Sequence, residues 1–182
     1  MSPVLGIIAS SNQQGRGGVV GSYDALASFT VPSGGLASIT FAGIPTGYRH
    51  LQLRTFVQQA SSGGYVEILL SNATFNYRHW VFGNGSGTAS AGADTTNAPG
   101  VFSTAFSTIN NGFAGSVFDI LDYATTKNKT TRSLGGADSN GSGSMYLMSG
   151  LYTSTGPVTS ITLNAIVQNF TQFSRFSLYG VK

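Results

Sequence analysis

The chain has no cysteine, which rules out a disulfide or a thiolate metal site and fits assembly in a reducing cytoplasm. Charge is nearly as scarce. Charged residues make up 8% of the chain, against about 25% in ordinary soluble domains, so polarity must come from elsewhere. The acids are Asp24, Glu67, Asp94, Asp119, Asp122 and Asp138, few for an enzyme built on carboxylate pairs or oxygen-liganded metals. Long apolar runs are missing too. No stretch nears the ~20 residues of a membrane-spanning helix. Residues 4–9 (VLGIIA) are too short for a signal-peptide core, and no basic segment precedes them. The expectation is a protein neither secreted by the usual route nor inserted in a membrane. Helical periodicity is the last absence: no window keeps a 3.6-residue apolar repeat over ten residues.

What is present is 41% apolar residue, with 25 glycines and an abundance of Ser, Thr, Asn and Gln, so the body is expected to fold. A chain of 182 residues is one domain by length and can bury roughly 70% of its extended surface. A surface of hydroxyls and amides suits a protein that packs into a lattice or faces the outside. The formal charge is +3, from nine cations: Arg16, Arg49, Arg54, Arg78, Lys127, Lys129, Arg132, Arg175 and Lys182. Of these only Lys127, Lys129 and Arg132 cluster. They read as solvated side chains, and no nucleic-acid partner is expected.

The organising stretch is residues 36–58 (LASITFAGIPTGYRHLQLRTFVQ). Ile39 and Phe41 alternate with Ser38 and Thr40, the period of a half-buried strand. Pro45 lacks a backbone donor and biases Ile44 toward extended geometry, so that strand should end near there. A second strand puts Leu51 and Leu53 on one face, Gln52 and Arg54 on the other. Further strands are expected at 25–31, 66–70, 77–82, 102–109, 115–123, 132–136, 145–153, 160–167 and 173–181. Segment 116–123 (SVFDILDY) is apolar on both faces, which marks a central or bent strand. Residues 83–100 read as a long surface loop, 124–131 (ATTKNKTT) as a polar basic turn and 154–157 (STGP) as a turn. The predicted core is Ile39, Phe41, Leu51, Leu53, Ile161, Leu163, Phe176 and Leu178. Short strands punctuated by Gly and Pro argue an all-β fold, a jelly-roll-like antiparallel β-sandwich over residues 23–182. Residues 1–22 read as a flexible N-terminal arm, Gly-rich and polar behind an apolar tip.

Chemistry is hard to find in this pattern. Asp119 and Asp122, three apart on a strand, point to opposite faces and make a poor catalytic pair. The run from Asp138 resembles the start of a calcium loop, but Ser149 stands where the bidentate glutamate belongs. His50 and His79 each sit beside an arginine and bring no obvious further metal ligands. No nucleophile elbow is present. Five Asn-x-Ser/Thr triplets, at Asn72, Asn84, Asn128, Asn140 and Asn169, follow from composition. The chain is therefore read as a non-enzyme, with no catalytic residue, cofactor or metal. Aromatics are 12% of the chain. Tyr65, Tyr77, Trp80, Tyr123, Tyr146 and Tyr152 are candidates for a sugar-stacking platform, against the plainer reading of cross-strand pairs and core.

Three segments carry a resemblance: SITFAGIPTGYRHLQLR (38–54), LGIIASS (5–11) and FSRFSLYGVK (173–182). Through them the chain resembles a group of small bacteriophage virion proteins, common among phages of cyanobacteria. The resemblance runs over nearly the whole chain and brings no active-site residues. It implies a β-sandwich displayed on a virus particle assembled in the host cytoplasm. The expected function is an oligomeric capsid decoration or cement protein, with a trimer as the expected form. Expected partners are further copies of the chain and the major capsid protein or other virion proteins, reached in part by the N-terminal arm. The alternative is a tail- or fibre-associated protein that binds a host surface glycan. A cell-wall hydrolase, the third class, lacks its carboxylates.

Overall fold

The computed structural model describes residues 4–6, 21–60, 65–71, 73, 77–84, 87–94, 101–104, 106–107, 112–138 and 143–182. The described residues form strands and no helix. In chain order the strands begin with β1 (Val4–Gly6), β2 (Tyr23–Thr30), β3 (Ser38–Ala42), β4 (His50–Gln59) and β5 (Tyr65–Leu70). Next come β6 (Tyr77–Asn84), β7 (Ala89–Asp94), β8 (Val101–Thr104), β9 (Phe106–Ser107) and β10 (Ala114–Ile120). The chain finishes with β11 (Lys129–Asp138), β12 (Gly143–Tyr152), β13 (Ser160–Ile166) and β14 (Arg175–Val181).

Two sheets face each other. The smaller runs β1-β3-β13-β5-β8 and the larger β2-β14-β4-β10-β11-β12-β6-β7, with β9 paired to β4 beside it. Within them, β3-β13-β5-β8 opposes β2-β14-β4-β10, and every pairing in both sets is antiparallel. The chain crosses between layers at β2 to β3, β3 to β4 and β4 to β5, and again at β8 to β10, β10 to β13 and β13 to β14. That connectivity is the eight-stranded jelly roll. Two hairpin-like excursions, β6–β7 and β11–β12, leave the roll at different points and meet beside β10. They widen the large sheet into a flange.

The core fills the space between the layers, and period-two alternation decides who enters it. Ile39, Phe41, Leu51, Leu53, Ile161, Leu163, Phe176 and Leu178 are all buried, as the alternation predicts. Val66, Ile68 and Leu70 of β5 join them, with Phe118, Ile120 and Phe170. The Phe170 and Phe176 rings meet edge to face, centroids 4.9 Å apart. At the corner predicted around Pro45, the buried Tyr123 donates its hydroxyl to the Pro45 carbonyl. That bond ties the β3–β4 corner to the turn after β10. Nearby, the Tyr48 ring lies so close over Gly180 that any Cβ there would collide with it. Glycine is required at that position for space alone.

Several expectations change. Part of the predicted 83–100 loop is strand: β6 runs to Asn84, and β7 pairs with β6 over its whole length. The backbone ladder and the Arg78–Asp94 ion pair hold Ala89–Asp94, and the buried side of the hairpin needs no large residue because Trp80 covers Gly92. Residues 95–100 lie outside the described residues. The predicted basic turn ends early, since β11 begins at Lys129. Lys129 is not solvated but fully buried. Its Nζ donates to the carbonyls of Thr125, Lys127, Ser154 and Gly156 at 2.7 to 3.0 Å. No acid is needed, because backbone oxygens take the ammonium's hydrogens. Burial pushes the amine below its ordinary value. Of the N-terminal arm, β1 pairs in parallel with β3 of the same chain, Leu5 opposite Phe41. Residues 7–20 lie outside the described residues.

Candidate functional site

Among the described residues, most of the exposed large apolar side chains stand on the outer face of the large sheet. Register places its side chains in transverse rows. One row reads Ser28, Ser177, Arg54, Val117, Leu134, Leu147, Val81, Ala91 from β2 to β7. The four middle apolar positions are adjacent and open to solvent: Val117 is 38% exposed, Leu134 54%, Leu147 55% and Val81 48%. With strands ~4.8 Å apart, this ladder is about 14 Å long. The next row reads Thr30, Arg175, Phe56, Gly115, Gly136, Met145, Gly83, Ala89. Its glycines leave bare backbone beside the ladder, and Met145 is also exposed. Most of the ladder stands on the flange.

The row on the other side is polar: Ala25, Tyr179, Gln52, Asp119, Arg132, Ser149, His79, Ala93. Gln52 Nε2 donates to Asp119 Oδ1 at 2.9 Å, and Arg54 Nε donates to Gln52 Oε1 at 2.8 Å. Arg132 reaches the other Asp119 oxygen at 3.4 Å. The Arg54 guanidinium carbon lies 4.6 Å from the Tyr179 ring centroid and 5.4 Å from that of Tyr23. So the face is divided. Toward β2 it is arginine, tyrosine and serine; toward β6 it is aliphatic.

A second exposed apolar feature sits at one end of the sandwich, between β13 and β14. Val167 and Phe173 stand 62% and 66% exposed, and both hold positive φ, 92° and 70°. A β-branched residue in that region is strained, and such strain concentrates where a chain makes contacts.

The residues singled out in the sequence are placed as follows. Tyr123 and Tyr152 are buried, so they belong to the core. Trp80 packs against the core, and Tyr146 lies tilted on Phe82 with centroids 4.6 Å apart. Tyr77 is exposed on β6. The six aromatics do not form one platform. Asp119 joins the outer polar row, while Asp122 lies in the turn after β10, its backbone N–H donating to His50 Nδ1 at 3.0 Å. Arg78 pairs with Asp94 across β6 and β7. Among the described residues no group of three or more His, Asp or Glu side chains could hold a metal. Asn140 and its neighbours 139–142 lie outside the described residues.

The fold and this face define the class: a jelly-roll β-sandwich whose large sheet presents an exposed, half-apolar surface. No family model, curated protein or solved structure matches the chain.

Proposed function

We propose that the chain is a structural subunit of a bacteriophage particle, an oligomeric decoration or cement protein of the outer capsid shell. The observation that carries this is the exposed ladder of Val117, Leu134, Leu147 and Val81 on a charge-poor face. Lone exposed apolar residues are ordinary, but a contiguous set flanked by glycine backbone is the composition of an interface. Its occupant is a second copy of the chain. Scarce charge lets like surfaces approach, and closed symmetry uses such a patch without making fibres. A trimer is the smallest ring in which the ladder of one copy meets a different surface of the next. The shell itself is contacted elsewhere, and the strained tip of Val167 and Phe173 is the segment best suited to it.

Sedimentation tests the assembly. Wild type is expected to run as a closed oligomer at tens of micromolar. Leu134→Asp with Leu147→Asp is expected to run as a folded monomer with a similar melting temperature. A monomeric wild type would remove the interface. Electron microscopy of the particle tests the location: hundreds of copies on the shell support this reading, a few dozen on the tail support its rival. That rival, a tail- or fibre-associated protein holding a host surface glycan, is favoured by the arginine and tyrosine half of the same face.

A further inference from the structure

We infer that the groove between β2 and β14 binds a carboxylate-bearing sugar, of the kind found in acidic surface polysaccharides. The inference deepens the glycan-binding reading of that half of the face and is independent of where the subunit sits in a particle. An open groove of about 370 Å³ lies there, lined by Ala25, Leu26, Ala27, Ser28, Arg175, Ser177 and Tyr179. That volume is in the range of small-ligand sites, roughly 300–1,000 Å³.

The groove is made by a local irregularity. β2 and β14 slip register between Leu178 and Tyr179, where Leu26 is the extra residue on β2. Bulges of this kind bend an edge and re-aim side chains. Its lining is amphipathic. Ala25 is the exposed apolar side chain of the lining, Leu26 and Ala27 form its floor where they pack against the core, and Tyr179 gives an aromatic wall. Ser177 Oγ donates to Ser28 Oγ at only 3.4 Å, a weak bond that leaves both hydroxyls available to a ligand.

The charge on this half of the face is unbalanced. Arg54 and Arg175 are exposed, on neighbouring strands, and sit diagonally across the pairs Arg175 with Phe56 and Ser177 with Arg54. No acid pairs with either among the described residues. Asp119, on the same face, is taken by Gln52 and Arg132. Asp24 is taken by Lys182 at 2.9 Å. Arg54, beside the groove lining, is also held in place: its Nε is fixed by Gln52 and its guanidinium carbon lies 4.6 Å from the Tyr179 ring centroid. A planar guanidinium of fixed orientation is the side chain best matched to a carboxylate. Two arginines are too few for a nucleic-acid backbone, and the apolar lining and serine hydroxyls are wasted on a bare inorganic anion.

Because the groove is shallow and open, single-site affinity is expected in the millimolar range and is raised by several copies acting together. The test is titration of the purified protein, followed by NMR or calorimetry, with three probes: a glucuronate-containing oligosaccharide, a neutral glucose oligosaccharide of equal length, and inorganic phosphate. The acidic oligosaccharide is expected to bind at least tenfold more tightly than either other probe. Arg175→Gln and Arg54→Gln are each expected to weaken it tenfold or more while the melting temperature stays within a few degrees. Leu134→Asp with Leu147→Asp is expected to keep single-site binding. Equal binding of the neutral oligosaccharide would overturn the acidic specificity and leave the glycan reading standing. Equal binding of phosphate, or unchanged binding in both arginine variants, would overturn the site. Binding of none of the probes would overturn the site, while the glycan reading and the shell assignment keep their own test in the location of the copies on the particle.

Discussion

At the residue scale, the core positions were readable because a strand has only two faces. Leu53 and Phe176 alternate with polar neighbours, and both are fully buried. Leu53→Ala or Phe176→Ala is expected to cost roughly 2–5 kcal/mol, read as a lowered denaturation midpoint. A loss too small to measure would mean the layers do not pack on those side chains. Lys129 was not readable. A lysine in a run of Thr, Asn and Lys carries the pattern of a solvated turn, and nothing local announces four carbonyls converging from two separate loops. Lys129→Met keeps much of the volume but leaves those carbonyls without their donor. At about 1–3 kcal/mol for each buried group left unpaired, the variant is expected to lose about 3 kcal/mol or more. Chemical denaturation measures it, and a wild-type midpoint would show that water replaces the ammonium freely.

At the element scale, legibility followed contrast between the two faces of a strand. β3, β4, β5, β13 and β14 each keep one face of alternating buried residues, mostly apolar, and were found. β7 has none: Ala, Ser and Gly alternate with one another, so pairing by the backbone left no trace in the sequence. The exposed ladder failed to register for the opposite reason. Val81 beside Phe82 and Leu147 beside Tyr146 and Met148 are apolar on both faces, which reads as deep burial. The same double-faced pattern noticed at 116–123 recurs at 77–82 and 145–151, and it was the available signal for an exposed apolar face. The arginine–tyrosine groove left less: Arg54 and Tyr179 simply occupy outward positions of strands already found. The β6–β7 hairpin depends on Gly92 lying under Trp80. Gly92→Ala is expected to push the indole aside and destabilise the hairpin by about 1–3 kcal/mol. Trp80 is the only tryptophan of the chain, so its fluorescence reports the event directly. An unshifted emission maximum with wild-type hydrogen exchange in β7 would contradict the packing.

At the scale of the whole molecule, pH acts mainly from the alkaline side. Burial raises the phenols of Tyr48, Tyr123 and Tyr146 above their ordinary value of 10.0. A raised phenol stays protonated in the folded chain after the unfolded chain has ionised. Its contribution is therefore complete below pH 10 and is lost as pH rises through the folded value. Lys129 works the other way, one group against three: the cost of keeping it charged in the fold fades as pH rises toward 10.5. On the acid side Asp24 is held below its ordinary value, first by its hydrogen bond from Lys182 and also by Tyr48. Its contribution is present above 3.8 and lost as pH falls through the lowered value. The urea midpoint is expected to be level from pH 6 to 9 and to fall above about pH 10. A midpoint that climbs there would mean the tyrosines are solvated.

The burial of Lys129 also makes that residue a built-in recorder of opening. The chain has three lysines, Lys127, Lys129 and Lys182. Lys127 is exposed, and Lys182 is tied only to Asp24 at the surface, so amine-reactive reagents tag both in the native protein. Lys129 reacts only in molecules whose 121–128 turn and 153–157 loop have come apart. Mass spectrometry of the tagged peptide then counts openings over time, and any binding that clamps both loops slows that count.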